Sequence, residues 1–188
     1  MTSDRRDIET AVAIRQEAGA LALDYFRKRE SLSVDRKGPQ DWVTEADKNV
    51  ELLIRKRLSE AWPDDGIVGE EHAAEPGASG FRWVIDPIDG TANFVNGIPV
   101  WCVILAGVID GETRIGVIHD PCHDETFVGV KGGGATLNGR PLKVAEGVPI
   151  GSGTISVGYS NRIEARNVVP VIEDLLGLTG RTIGAHIA

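Results

Sequence analysis

Asp86 and Asp89 lie three residues apart in the stretch Trp83 to Phe94, WVIDPIDGTANF, and Glu70 and Glu71 close an earlier apolar run, GIVGEE. Carboxylates gathered this closely repel one another unless a cation neutralises them. Hard oxygen donors in small number suit Mg2+, which takes one or two carboxylates and leaves the rest of its shell to water and substrate phosphate. Two such ions can clamp the attacking and leaving oxygens of a phosphoryl transfer. The Ile88 carbonyl, between the two aspartates, is a further oxygen. Pro87 fixes φ and stiffens the turn, and Gly90 has no side chain, so its amide can approach a ligand closely. A helix starting near Thr91 would aim free N–H groups at the same place and favour a phosphate. Taken alone, D-x-x-D-G is also an ordinary turn, and Asp47, three residues after Thr44, reads equally well as part of a helix cap.

Other chemistries find less support. The EF-hand spacing is absent, and GVKGGG lacks the Gly-Lys-Ser/Thr that would make it a phosphate loop. His72, His119, His123 and His186 do not have metal-ligand spacing. Neither Cys102 nor Cys122 is followed six residues on by arginine, as a cysteine-nucleophile phosphatase would require.

The elements that must carry these residues change character along the chain. Apolar positions at Ile8, Val12, Ala18, Leu21, Ala22, Tyr25 and Phe26 predict an amphipathic helix over 4–29, capped by Ser3 or Asp4, with Gly38 and Pro39 as the break that follows. A second helix over 45–61 presents Val50, Leu53, Ile54, Leu58 and Ala61 on one face, and Thr44 with Asp47 forms its capping pair. After Gly66 come short β-branched runs: GIVGEE, then RWVIDP, which delivers Asp86 at its C-terminal end. VWCVILAGVI, RIGVIH and ETFVGV follow, separated by DGE and PCHD, with an Asn138-Gly139 turn beyond: a meander of hairpins. A composition shift near 145 separates an N-terminal lobe, 1–145, holding the helices, sheet and metal site, from the start of a C-terminal α/β lobe, 146–188. There TISVGY reads as a strand and IEARNVVPVIEDLLGL as a helix interrupted or started by Pro170. Helices followed by a run of strands indicate the α+β class.

Composition limits the partners. The 188 residues are 41% apolar and 26% charged, ordinary values for a globular protein. With 20 basic against 28 acidic residues the net charge is −8, which disfavours nucleic acid. No apolar run approaches the roughly 18 residues that span a bilayer. The N-terminus lacks the apolar core of a secretory signal, and two cysteines give no disulfide framework, so a cytoplasmic protein is expected.

Three segments in order, DWVTEADKNVE (41–51), IVGEE (67–71) and WVIDPIDGTANFVNGIP (83–99), resemble the signature of the inositol monophosphatase family of Mg2+-dependent, lithium-sensitive phosphatases. The final RTIGAH is similar to the start of that family's R-x-x-G-[ST]-A-A segment. The resemblance implies a layered αβαβα sandwich, often dimeric, holding two or three Mg2+ ions and hydrolysing inositol monophosphate. It implies that Glu70, Asp86 and the Ile88 carbonyl hold one metal and that Asp86 and Asp89 hold another. Glu70 with Thr91 would orient and deprotonate the attacking water, and Asp47 joins them in the catalytic set. Asp89, Gly90, Thr91, Gly184 and Ala185 would contact the substrate, with Lys37, Asp47 and Glu71 in support behind the ligands. Histidinol phosphate and other sugar phosphates are the rival substrates. A non-catalytic binding or regulatory homologue would have lost a ligand among Glu70, Asp86, Asp89 and Thr91, and none is lost. The family continues into W-D-x-A-A-G, whose aspartate ligates the second metal; these 188 residues hold no such segment, and position 186 is His where Ala is usual. A fragment short of one ligand, and poorly active as it stands, is the expectation.

Overall fold

The first helix begins where a carboxylate can satisfy its free N–H groups. The computed structural model, which describes residues 7–31, 34–38, 41–144, 146–147, 155–159, 164–179 and 183–187, places helix α1 at Ile8–Arg27. Its cap is Asp7, whose carboxylate accepts from the amides of Glu9 and Thr10 at 3.1 and 3.2 Å. The expected caps Ser3 and Asp4 lie outside the described residues, and the start expected at residue 4 moves to Ile8. A 3₁₀ turn, Arg29–Ser31, follows, and then, where Gly38 and Pro39 predict only a break, a hairpin: β1, Val34–Gly38, antiparallel to β2, Asp41–Thr44. Helix α2 spans Glu45–Ala61, as predicted.

Two units divide the chain, Met1–Leu142 and Lys143–Ala188. In the first, seven strands follow: β3 Gly66–Val68, β4 Phe81–Asp89, β5 Cys102–Ile109, β6 Glu112–Asp120, β7 Glu125–Val130, β8 Gly134–Leu137 and β9 Arg140–Pro141. They form one sheet in sequence order, with β3 parallel to β4 and every later pair antiparallel. The turns after β5 and β8 place Asp110-Gly111 and Asn138-Gly139 at positive φ, the left-handed pairs that two-residue hairpins require.

Helix α1 packs against β5 and β6, and α2 against β4. Strand alternation supplies the inner face: Phe81, Trp83, Ile85, Val103, Leu105, Ile115 and Val117 are buried. Small residues on α1, Ala11, Ala18 and Ala22, allow a close approach, and at Gly19 an added Cβ would stand 2.3 Å from the His119 ring. The buried face of α2 differs from the predicted one. Val50, Ile54 and Leu58 are inside as expected, but Ala61 is exposed and Glu51 and Arg55 are buried in its place.

The second unit is a β-α-β arrangement of β10, Ile155–Tyr159, helix α4, Ala165–Thr179, and β11, Ile183–Ile187, with β10 and β11 parallel. Pro170 neither starts nor interrupts α4; it sits inside the helix, at the cost of the bond its missing N–H would make. Helices with a largely antiparallel sheet place the protein in the α+β class. Among the described residues, no helix is long and apolar enough to cross a membrane.

Candidate active site

Strand β4 does not stop at Asp86; it runs through Pro87 to Asp89. In a regular strand, residues three apart point to opposite faces. Here Asp86 pairs with Ile104 and Asp89 with Cys102, so three steps on β4 oppose two on β5. The extra residue is a bulge. Because Ile104 and Cys102 share a face of β5, the bulge brings both aspartates to one side, while Ile88 turns its side chain into the core. Pro87 tolerates this position because a bulge frees it from donating to the ladder.

Gly90 then turns the chain at φ 93°, a conformation that favours glycine, and an added Cβ would lie 3.1 Å from the Val100 carbonyl. Helix α3, Thr91–Val95, starts at Thr91 as anticipated. It is pinned from beneath by Phe94, fully buried with ring centroids 5.0 Å from Trp101 and 5.4 Å from Phe26. The Thr91 hydroxyl lies 3.0 Å from the Ile88 carbonyl and 3.3 Å from Asp47 Oδ1. The other oxygen of Asp47 accepts from the Thr44 amide and hydroxyl at 2.8 and 2.7 Å, completing the capping box of α2. One carboxylate thus both caps α2 and reaches Thr91. Burial pushes the Asp47 carboxyl above its ordinary range, against the hydrogen bonds from Thr44.

Asp86 is the most strained charge at the site. Burial, followed by the charges of Glu70, Asp89 and Asp47, pushes its carboxyl up to about 7, and its Oδ1 is buried without a hydrogen-bond partner. Glu70 is exposed on the turn after β3, and Asp89 is exposed beside Cys102, whose thiol donates to Asp89 Oδ2 across 3.8 Å. Burial and then the charge of Asp89 push that thiol up to about 12. Among the described residues, no three carboxylate, imidazole or thiol side chains close into a metal cage by themselves. Magnesium does not ask for one: a carboxylate or two and a carbonyl suffice when water and phosphate complete the shell. An orphaned buried carboxylate oxygen, with further carboxylates near enough to oppose its charge, fits a hard divalent cation.

The remaining expected residues are less closely placed. The Lys37 side chain lies outside the described residues, although its backbone is in β1. Gly184 and Ala185 lie in β11, opposite Ser156 and Val157, in the second unit. Glu71 is fixed through its backbone, its amide donating 2.7 Å to Glu51 Oε2. Sequence reasoning did not single out Glu51, Arg55 or Arg15, all buried. The one available signal was the Glu51–Arg55 spacing of four on a helix, ordinarily the mark of a solvated pair.

Residues 4–185 match the model of the inositol monophosphatase family. A histidinol-phosphatase of Chlorobaculum parvum is 44% identical over 139 residues, covering 74% of this chain and 53% of its own length. An inositol-1-monophosphatase of Rhizobium meliloti is 38% identical over 167 residues, covering 84% and 62%. Among solved structures, the extragenic suppressor protein suhB of Bartonella henselae superposes with a TM-score of 0.89 at 29% identity, covering 96% of this chain and 69% of that one. The chain spans roughly half to two thirds of the length of the curated relatives it matches. A match over nearly every residue, with the bulged D-P-I-D-G-T at its centre, leads to one statement of kinship: the chain belongs to the inositol monophosphatase family.

Proposed function

We propose that this chain carries the catalytic metal site of a Mg2+-dependent phosphate monoester hydrolase. The observation that carries the reading is the β4 bulge, which sets Asp86 and Asp89 on one face beside a Thr91 hydroxyl tied to Asp47. Glu70, Asp86 and the Ile88 carbonyl would hold one ion, and Asp86 with Asp89 another. Magnesium would supply a Lewis acid that withdraws charge from the phosphate oxygens and makes the attacking water more acidic.

The chain's own groups do the rest. The single hydroxyl hydrogen of Thr91 is drawn toward Ile88 O or Asp47 Oδ1, leaving an oxygen lone pair to accept from a water and orient it. Glu70 takes the proton as the water oxygen bonds to phosphorus and the ester P–O bond breaks. The leaving alkoxide then takes a proton from solvent. Gly90 and Thr91 amides bind phosphate oxygens. Lys37 and Glu71 support the ligands from behind. The family resemblance extends the proposal to a lithium-sensitive, cytoplasmic homodimer.

Inositol monophosphate is the substrate favoured by the DGTANF signature. A second reading, histidinol phosphate, draws support from the 44% identity to the Chlorobaculum enzyme. Phosphate release from each ester, with and without Mg2+, tests both. Mg2+-dependent release that disappears in Asp89→Asn, with the far-UV circular dichroism unchanged, is expected. Turnover retained by Asp89→Asn would remove that residue from the mechanism.

A further inference from the structure

Glu51 takes no part in the chemistry above, yet its carboxylate is completely buried. Helix α2 carries it toward the turn after β3. Its Oε1 accepts from Arg55 Nε at 2.7 Å and from the His72 amide at 3.2 Å, and its Oε2 accepts from the Glu71 amide at 2.7 Å. On the other side of Glu70 the carboxylate is packed against Gly69, where an added Cβ would stand 2.0 Å from Oε1. Arg55 continues the grip: Nη2 donates to the His72 carbonyl at 3.1 Å and Nη1 to Glu75 Oε1 at 2.9 Å.

Burying an ion pair costs desolvation that its attraction seldom exceeds, so such a pair is weak evidence of a stabilising role. What this pair does is local. Among the described residues, the hydrogen bonds it makes outside α2 go to residues 71–75, and the Glu51 carboxylate also lies against Gly69. The backbone flanking Glu70 is therefore held from both sides, while the Glu70 side chain itself is left exposed. We propose that Glu51 and Arg55 are positioning residues, fixing the 69–75 backbone so that the Glu70 carboxylate is presented to Asp86. The proposal rests on the reading of Glu70 as a metal ligand. Groups that orient a ligand from behind are typically worth about ten- to a hundredfold in metal affinity.

Mn2+ binding by the whole chain, followed through the electron paramagnetic resonance signal of the free ion, tests this without relying on turnover. Four proteins are compared: the unaltered chain, Glu70→Gln, Glu51→Gln and the double variant, each checked for fold by circular dichroism. Glu51→Gln keeps the shape of the side chain but puts an amide N–H₂ or a neutral oxygen where charge is needed. It should weaken Mn2+ binding by about tenfold, and the double variant should be no weaker than Glu70→Gln by more than about twofold, because one residue acts through the other. Affinity unchanged in a folded Glu51→Gln, with Glu70→Gln weakened, would overturn the positioning role alone. Losses that multiply in the double variant would do the same, since a general structural role is independent of Glu70. Unchanged affinity in Glu70→Gln would overturn the ligand reading and this proposal with it. If Glu51→Gln does not fold, Arg55→Lys, which keeps the charge and loses the forked contact to His72 and Glu75, carries the same comparison.

Discussion

The two sides of the candidate site are held by different physics. On one side, the β4 bulge, the left-handed Gly90 and the anchored helix α3 fix Asp86, Asp89 and Thr91 through backbone geometry. On the other, Glu70 rides on a turn whose shape depends on two buried charges from α2. The first side is one continuous stretch of backbone, held by its register against β5. The second depends on a pairing twenty residues distant, between Glu51 and Glu71. A site built this way meets mutation differently on its two sides: graded strain on the first, uncompensated charge on the second.

That contrast can be attacked directly. Arg55→Ala leaves Glu51 buried without its cation and should cost about 3–5 kcal/mol in urea unfolding. A loss no greater than that from Arg57→Ala, which breaks the exposed pair with Glu17, would erase the distinction. Gly90→Ala places a Cβ at φ 93° and 3.1 Å from the Val100 carbonyl, and about 1–3 kcal/mol of strain follows. Thermal melts should show the loss, and a neutral result would mean the turn adapts and the first side is softer than drawn. Thr44→Ala removes the hydroxyl of the capping box and should cost about 1 kcal/mol. Because Asp47 also reaches Thr91, this variant should disturb the first side more than Arg55→Ala does, which the fluorescence of Trp101 beneath α3 would report.

Legibility in the sequence followed the same division. Helix α2 was readable to its ends because Thr44 and Asp47 announce the start and Pro63 the finish. The meander was readable because Asp110-Gly111 and Asn138-Gly139 are the residues that left-handed turns demand. The D-P-I-D-G-T motif gave the chemistry, and the register of β5 supplies the means: a bulge that brings Asp86 and Asp89 to one side where period-two alternation would separate them. Hairpin β1–β2 was hidden because Gly38 and Pro39 signal a break equally well before a loop or a return strand. Glu51, Arg55 and Arg15 were missed for one reason. Charged residues are presumed solvated, and what overrides the presumption is a set of partners scattered through the rest of the chain.

Arg15 shows where such scattering leads. Strands β5 to β9 each pair with the next through a short loop, so hairpin after hairpin can zip on the microsecond scale. The Arg15 guanidinium, by contrast, donates 2.7 Å to the Val117 carbonyl, 102 residues along the chain. Closing so long a loop is entropically costly before its contacts exist, and topology of that kind slows folding. On this topology the hairpins are expected to form before α1 docks, and that docking carries the Arg15 charge from water into the interior.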